Sequence, residues 1–327
     1  MTTIQRPPIT MRPFTTDDYA TFVELSNSAY PDYAWTIEEI THFDQDWKPE
    51  GYYKRRVIAE EAGVAAGYCE VSHSRGQFAP DNYNIDLVVR PESRRRGIGR
   101  TLLDDAVAAL SSRHAHWIRN GIKESDSHSV DFARAIGAVE LKRDWESRLD
   151  VATFDAAPFA AAPARAAEQG VRLTTLADEL NADPEAVRKA WVLHEVARKD
   201  VPVLDPATPS PYERFAQEVL RAPYALPEAH FLAIRDSRYV GECSMGKEGT
   251  DPGVIYQHLT AVLRDERGKG IAMALKLKTI EYAKREGLRE IRTWNASMNR
   301  PMLAINEALG FAKQPAWITF GKDLSAA

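Results

Sequence analysis

The sequence repeats one short pattern, first as Val88-Val89-Arg90-Pro91-Glu92-Ser93-Arg94-Arg95-Arg96-Gly97-Ile98-Gly99-Arg100 and again as Ala261-Val262-Leu263-Arg264-Asp265-Glu266-Arg267-Gly268-Lys269-Gly270-Ile271-Ala272. Each copy joins the end of an apolar strand to a basic turn of the form Arg-x-x-Gly-x-Gly/Ala, and then to a long helix. Such a turn directs free backbone N–H groups and the positive end of the helix dipole toward one point. With the flanking arginines, these groups predict a diphosphate site in each half of the chain.

The spacing between matching residues is nearly constant along the chain. Gly97 and Gly270 lie 173 residues apart, and the same offset relates Gly99 to Ala272, Gly137 to Gly310 and Tyr83 to Tyr256. Two copies of one supersecondary plan explain such regularity better than two unrelated domains. We therefore predict an N-terminal domain at 1–155, a linker rich in alanine and proline at 156–170, and a C-terminal domain at 171–327.

Hydrophobic periodicity predicts the same order of elements in each half: a strand, helices, a β-hairpin, the strand before the basic turn, its helix, a strand, a helix and a closing strand. This order predicts an α/β protein. We expect each domain to contain a mixed, largely antiparallel sheet flanked by helices.

Composition restricts the class of protein. The 327 residues are 44% hydrophobic and 27% charged, with a net charge of −5, which is typical of a soluble globular protein and disfavours general nucleic-acid binding. No apolar run reaches the roughly 20 residues of a membrane helix. Residues 1–13 lack the apolar core of a signal peptide, so we expect a cytoplasmic protein. The two cysteines, Cys69 and Cys243, are expected as buried reduced thiols.

Three kinds of phosphate site compete for the basic turns. A Walker loop needs Ser or Thr after Gly-Lys, whereas Ile98 and Ile271 follow the glycines here. A dinucleotide fingerprint needs three spaced glycines and a later acidic residue, which neither copy supplies. The third interpretation is a coenzyme A pyrophosphate held by the turn.

The pattern of strand, Val-x-Pro-Glu-x-x-Arg-Arg-Gly-Ile-Gly and amphipathic helix resembles the acyl-CoA motif of GNAT-family N-acetyltransferases. The stretch from Thr293 through Asn299 and Asn306 to Gly310-Phe311 is similar to the family's later strand–helix–Gly-Phe segment. The resemblance covers both halves and implies a tandem GNAT protein. It also implies an acyl-CoA-dependent N-acyltransferase, with acetyl-CoA as donor, in which the amine attacks the thioester directly.

The resemblance further implies which residues bind the cofactor. The strand backbone before each turn would pair with the pantetheine arm, the turn amides would hold the pyrophosphate, and basic side chains would add charge. Asn299 matches a position whose side chain often meets the pantetheine arm. The residues so implied are Leu87, Val88, Val89, Arg94, Arg95, Arg96, Gly97, Ile98, Gly99, Arg100, Thr260, Ala261, Val262, Arg267, Gly268, Lys269, Gly270, Ile271, Ala272 and Asn299.

The candidate catalytic residues lie on the strand before each turn. Asp86 in the first half and His258 in the second lie on the strand before the turn and are the candidate proton acceptors, with Glu242 on the strand next to His258. Many relatives have a tyrosine acid four residues before the Gly-Phe pair, but Ala133 and Asn306 occupy these positions. Two alternatives therefore stay open: one catalytic domain beside a structural one, or a non-catalytic CoA-binding sensor or interaction protein.

The sequence leaves the acceptor open among small molecules, peptide N-termini and lysine side chains. We expect an amine acceptor, no metal, no nucleic-acid partner and no membrane. The internal repeat predicts either a monomer with an internal pseudo-dimer or a homodimer.

Overall fold

A computed structural model describes residues 8–45, 47 and 51–325 of the chain. In this range the strands are β1 (Ile9–Pro13), β2 (Lys54–Glu61), β3 (Val64–Ser72), β4 (Asn82–Val89), β5 (Trp117–Lys123), β6 (Val139–Asp150), β7 (Arg172–Thr175), β8 (His230–Arg235), β9 (Arg238–Lys247), β10 (Val254–Val262), β11 (Glu290–Ala296), β12 (Ala312–Lys313) and β13 (Trp317–Asp323). The α-helices are α1 (Tyr19–Ala29), α2 (Ile37–Gln45), α3 (Ile98–Ser111), α4 (Ser127–Ala135), α5 (Ala161–Glu168), α6 (Leu176–Ala182), α7 (Ala186–Ala197), α8 (Tyr212–Arg221), α9 (Ile271–Arg285) and α10 (Arg300–Ala308).

The chain divides into two compact units, and neither is one continuous segment. The first unit contains residues 1–122, 126–141 and 318–327, and the second contains residues 123–125 and 142–317. The predicted boundaries at 155 and 171 stay a prediction, because they group residues by sequence repeat whereas the units group them by contact.

The sheet of the first unit has the strand order β1-β2-β3-β4-β5-β13. Neighbours from β1 to β4 are antiparallel, and β4 and β5 are parallel. Alternate residues face opposite sides of the sheet, so Cys69 packs into a core with α3 while Tyr68 packs against Phe22 and Leu25 of α1. The expected α/β class and mixed, largely antiparallel sheet are confirmed.

The sheet of the second unit has the order β7-β8-β9-β10-β11-β6. Again β10 and β11 are parallel, and the other described pairs are antiparallel. The helix α9 packs on one face and α6, α7 and α8 cover the other. The short helix α6 and the two-residue strand β12 were not predicted from the sequence.

The closing strands are exchanged between the repeats. β6 belongs to the first repeat, but its residues Asp144 to Asp150 pair with β11 in the second unit. β13 belongs to the second repeat, but from Ile318 onward it lies beside β5 in the first unit. Each unit is therefore completed by a strand from the other repeat.

The segment predicted as a linker is ordered and contains a helix. In α5, Ala162 and Ala166 are buried in the core that α9 shares. Alanine favours helix, and two alanines four residues apart lie on the same helical face.

Among the described residues, none of the helices combines the length and apolar character needed to cross a bilayer. Both cysteines are buried free thiols, as expected.

Candidate active site

The strand before each basic turn separates from its parallel neighbour. β4 pairs with β5 only from Asn82 to Asn84, and β10 pairs with β11 only from Val254 to Gln257. The register shifts only in β10, between Gln257 and Thr260, whereas β4 pairs regularly with β3 up to Val89. Among the described strands, none therefore pairs with the backbone beyond each separation point on that side.

Both turns present a row of unbonded amides. In the first, the N–H of Arg94 donates to Pro91 O and the next donor is Thr101, whose N–H donates to Gly97 O at 3.0 Å. The amides of residues 95–100 donate to no group of the described chain. The second turn has the same gap at residues 268–273, between Arg267 and Ala274. Such amides at a helix N-terminus attract a phosphate.

Positive φ angles shape both turns. Gly97 and Gly270 cap their helices at φ 95° and 78°. Gly268 also has a positive φ, of 77°, and its first-turn counterpart Arg95 has φ 63°. A non-glycine residue in this region is strained by about 1–3 kcal/mol, so the first turn tolerates strain in order to hold an arginine at this place.

The basic side chains differ between the turns. Arg95 and Arg100 are exposed and form no ion pair with any described residue, while Arg96 pairs with Glu61 at 2.9 Å. In the second turn, Arg267 pairs with Asp200, and Lys269 pairs with Glu266 at 2.9 Å. The second turn is therefore largely neutralised by its own unit, and the first keeps charge available for an anion.

A cleft of about 750 Å³ opens beside the first turn. This first cleft brings together most of the predicted cofactor-binding residues of the first half. Its size lies within the range of about 300–1,000 Å³ that is usual for small-molecule sites. The lining comprises Ala29, Tyr30, Ile85, Leu87, Val88, Val89, Pro91, Ser93, Arg94, Arg95, Gly97, Ile98, Gly99, Arg100, Leu103, Ile118, Asn120, Ile122, His128, Ser129, Asp131, Phe132, Ala133, Ile136, Ala138, Phe320 and Lys322. Arg96 is not among these residues.

A close backbone contact supports the wall of the cleft. Gly67 of β3 faces Val89 of β4, and a Cβ at Gly67 would lie 2.5 Å from Val88 O. The nearest side chain, Leu102 of α3, is 3.4 Å from that position. Only glycine lets the strand and the helix approach each other here.

Asp86, the predicted proton acceptor of the first half, lies on β4 opposite Glu70. The hydroxyl of Tyr68 donates to Asp86 Oδ2 at 2.6 Å. Burial raises the pKa of Asp86 to about 6, with a further contribution from the charge of Glu70, although the Tyr68 hydrogen bond acts in the opposite direction. Burial and the charge of Asp86 also raise the pKa of Tyr30, which lines the first cleft. Asp86 thus has a pKa suited to accepting a proton near neutral pH.

The second unit contains a buried carboxylate between two histidines. Glu242 is fully buried, with His194 Nδ1 at 3.1 Å from Oε1 and His230 Nε2 at 3.0 Å from Oε2. Burial alone would raise the pKa of Glu242, but the hydrogen bonds and charges of His194 and His230 outweigh it and lower the pKa. Burial alone would lower the pKa of His194, but Glu242 raises it above 6.5. Sequence reasoning missed His194, which lies on a helix 48 residues before Glu242.

His258, the other predicted proton acceptor, is in a different situation. Its ring lies over Gly246 of β9, where a Cβ would be 2.4 Å from Nε2. It forms no hydrogen bond with any described residue, and its neighbour is the ring of Tyr224, edge to face with the centroids 6.5 Å apart. Glu242 does orient His194, so His194 is the better candidate in this unit.

Asn299 caps α10. Its Oδ1 accepts from the N–H of Met302 at 3.4 Å. The counterpart Asp126 caps α4 through Ser129, with N–H and hydroxyl bonds of 3.2 and 2.6 Å. The capping role occupies one polar atom of Asn299 and leaves its NH₂ group for a ligand.

The His194–Glu242 pair predicts a specific pH dependence of stability. The lowered pKa of Glu242 contributes stability above its ordinary value of 4.5, and this is lost as pH falls. The raised pKa of His194 contributes stability below 6.5 that is lost as pH rises through the folded value. We expect Glu242→Gln to lower the free energy of unfolding by about 3 kcal/mol between the ordinary pKa values of 4.5 and 6.5, and by less at lower or higher pH.

Urea unfolding of the unaltered protein and of Glu242→Gln from pH 3 to pH 9 measures this difference in unfolding free energy. The exposed Glu281→Gln change in α9 serves as control. A cost that does not vary with pH would contradict the pairing.

Comparison with known proteins agrees with this geometry. The model of the acetyltransferase (GNAT) family matches residues 19–138 and 193–311. Mycothiol acetyltransferase from Thermobifida fusca (strain YX) is 25% identical over 279 residues, 81% of each chain. The protein of the same name from Thermomonospora curvata is 28% identical over 267 residues, 79% of each chain.

Solved structures share the fold over nearly the whole chain. A tandem GNAT protein from the clavulanic acid biosynthesis pathway superposes with a TM-score of 0.75 at 22% identity, covering 97% of this chain and 99% of that one. A GCN5-related N-acetyltransferase from Sphaerobacter thermophilus gives a TM-score of 0.70 at 17% identity, covering 97% of both. The chain therefore belongs to the acetyltransferase (GNAT) family: it contains the family's domain twice and is an acyl-CoA-dependent N-acyltransferase.

Proposed function

We propose that the first unit binds acetyl-CoA in the first cleft and transfers its acetyl group to an amine. The observation that carries this proposal is the convergence of three features at one turn. The amides of residues 95–100 are unbonded, Arg95 and Arg100 have no ion-pair partner in the described chain, and the cleft opens directly beside them.

The residues present fit a CoA thioester. The amides from Arg95 to Gly99 would hold the pyrophosphate, and Arg95 and Arg100 would add charge to it. The backbone of Leu87 to Val89, which pairs with no described strand on the side of β5, would hydrogen-bond to the pantetheine arm. The bound thioester supplies an activated acyl group.

The acceptor amine must be neutral when it attacks, so a nearby group must take its proton. We assign this role to Asp86 acting through a water, because Asp86 lies between two cleft-lining residues of β4 but does not itself line the first cleft. Its pKa of about 6 lets Asp86 be ionised at neutral pH while remaining a useful base. No acid is assigned for the departing thiolate, because Ala133 stands where many relatives carry a tyrosine.

A pH profile tests the assignment of Asp86. We expect the rate of acetyl transfer to fall about tenfold per pH unit below pH 6, because Asp86 is then protonated. Asp86→Asn should lower the rate by about 10²–10⁴-fold and remove this acidic limb. Tyr68→Phe removes the hydrogen bond that favours ionised Asp86, so it should move the limb to higher pH.

The exposed Glu92→Gln change controls for the loss of a carboxylate from the same unit. An unchanged acidic limb in Asp86→Asn would exclude Asp86 as the proton acceptor.

A second centre is favoured by two observations in the second unit: the register of β10 shifts between Gln257 and Thr260, and Glu242 orients His194. We propose that this centre binds CoA more weakly, because Asp200 and Glu266 neutralise its basic turn. The alternative is a single catalytic domain beside a structural one. Comparing turnover of Asp86→Asn with that of His194→Gln distinguishes them: one dominant loss indicates one working centre.

Calorimetric titration of the full chain with acetyl-CoA tests the proposal itself. We expect one strong site and at most one weaker site per chain. Absence of binding would overturn the proposal.

The curated relatives carry the name mycothiol acetyltransferase, so the acceptor panel should begin with mycothiol-related amines and include a peptide N-terminus and a lysine side chain. Two buried free thiols support a cytoplasmic location.

A further inference from the structure

One part of the first cleft is lined by apolar side chains. We call this part the inner chamber and define it by Leu103, Ile118, Ile122, Ala133, Ala138 and Phe320, which all line the cleft. Five of them are at least nine-tenths buried, with only Ala138 more exposed. Asn120, between Ile118 and Ile122 on β5, also lines the cleft, as does Lys322, whose Nζ donates to Ile136 O at 3.1 Å. The chamber is thus a mainly apolar space within the unit, in contrast to the charged turn.

The second unit fills the matching positions with larger or polar groups. The offset of 173 matches four of the chamber residues to a different residue in the second repeat. The counterparts are Lys276 for Leu103, Asn295 for Ile122, Asn306 for Ala133 and Phe311 for Ala138. Three of the four replacements introduce a polar group, and the fourth introduces a larger apolar ring.

Contacts within the second unit close this space. Lys276 is 1% exposed, donates to Gln257 Oε1, and its Nζ lies 5.0 Å from the centre of the Phe311 ring. Asn306 Nδ2 donates to Asn295 Oδ1 at 2.7 Å. The fold can therefore seal this region with internal hydrogen bonds and an aromatic ring. The first unit keeps it open and apolar, although unfilled apolar space costs stability.

The position of the chamber relative to the turn suggests its occupant. The turn follows the C-terminal end of β4, whereas Ile118 lies opposite Tyr83 near the start of that strand. A thioester with its phosphates at the turn and its arm along β4 would direct its acyl end toward the chamber. An apolar acyl chain matches the carbon lining, since each buried methylene is removed from water.

We propose that the first cleft takes CoA thioesters of unbranched acyl chains longer than acetyl, with the chain in the inner chamber. The inference rests on the proposed function, because it requires the CoA moiety to bind at the first turn. In the transfer, the acyl carbon forms a bond to the amine nitrogen and its bond to sulfur breaks. The amine proton goes to Asp86, and the thiolate takes a proton from solvent. No oxidant or further reactant is needed.

Competition binding to the full chain, with free CoA and its acetyl, butanoyl, hexanoyl and octanoyl esters, tests the proposal. Each methylene that enters the chamber should tighten binding about fourfold. We therefore expect hexanoyl-CoA to bind at least about tenfold more tightly than acetyl-CoA. Ala138→Phe copies the residue of the second unit and should abolish this preference. Ala135→Phe, on the exposed face of α4, should retain it.

The outcomes separate the two proposals. If neither CoA nor any ester binds, the proposed function fails. If esters bind with an affinity that does not depend on chain length, the proposed function stands and the chamber has no acyl ligand. A preference that persists in Ala138→Phe would also overturn the assignment, provided that thermal unfolding shows this variant to be folded. The series on the unaltered protein remains decisive if the variant does not fold.

Discussion

Replacing both Arg95 and Arg100 by glutamate should weaken acetyl-CoA binding to the first unit by at least about 100-fold. Each charge-assisted hydrogen bond contributes about 1.5–3 kcal/mol, so losing two would cost about 3–6 kcal/mol. Both side chains are exposed and partly screened by salt, which favours the lower half of this range. Calorimetric titration at low and physiological salt measures the loss, which should be larger at low salt.

A matched pair of changes controls for net charge. Arg221 and Arg285 are exposed arginines of the second unit that belong to neither basic turn, and replacing both by glutamate alters the total charge equally. This control should bind acetyl-CoA as the unaltered protein does. Equal weakening in both double variants would mean that general charge, and not the first turn, attracts the cofactor.

A chain that ends at Ala316 should lose the first cleft, although the deleted residues belong to the second repeat. Ile318 and Phe320 are 3% and 5% exposed and pack with Ile122, Val130 and Ala133 in one core cluster of the first unit. Burying each of the two deleted side chains contributes about 1.5–3 kcal/mol. A loss of about 3–6 kcal/mol is large against the roughly 5–15 kcal/mol that stabilises a typical domain.

Thermal unfolding and the stoichiometry of acetyl-CoA binding measure this effect. The milder change Phe320→Ala should destabilise the first unit by about 3–5 kcal/mol, and a chain that ends at Ser325 serves as control. If the chain ending at Ala316 kept the stronger acetyl-CoA site, the exchanged strand would not be needed for the cleft.

Local sequence predicted the turn and its surroundings well. The glycines and apolar spacing around Gly97 and Gly270 fix a strand, a turn and a helix through interactions between near neighbours, so two copies are visible without a structure. Asp86 could also be chosen, because its place on the strand before the turn follows from the same local pattern.

Features that depend on distant partners could not be predicted. The alternating apolar residues of β6 and β13 look the same whichever unit the strands join, so the exchange has no local signal. The neutralisation of the second turn depends on Asp200, which lies 67 residues before Arg267. In the sequence, His194 is a single polar residue on a helix, and only the folded structure places Glu242 of β9 beside it. Such pairings are set by tertiary structure alone.

The exchange of closing strands also has a consequence for synthesis on the ribosome. The first unit lacks β13 until translation has proceeded from Leu141 to Ile318. At about 5–20 residues per second this takes roughly 10–35 s. During that interval the free edge of β5 and the apolar side chains of Ile122 and Val130 remain uncovered. The nascent chain must therefore pass through an aggregation-prone stage, and chaperone supply should affect its yield more than that of a protein whose first domain is complete when its own repeat emerges.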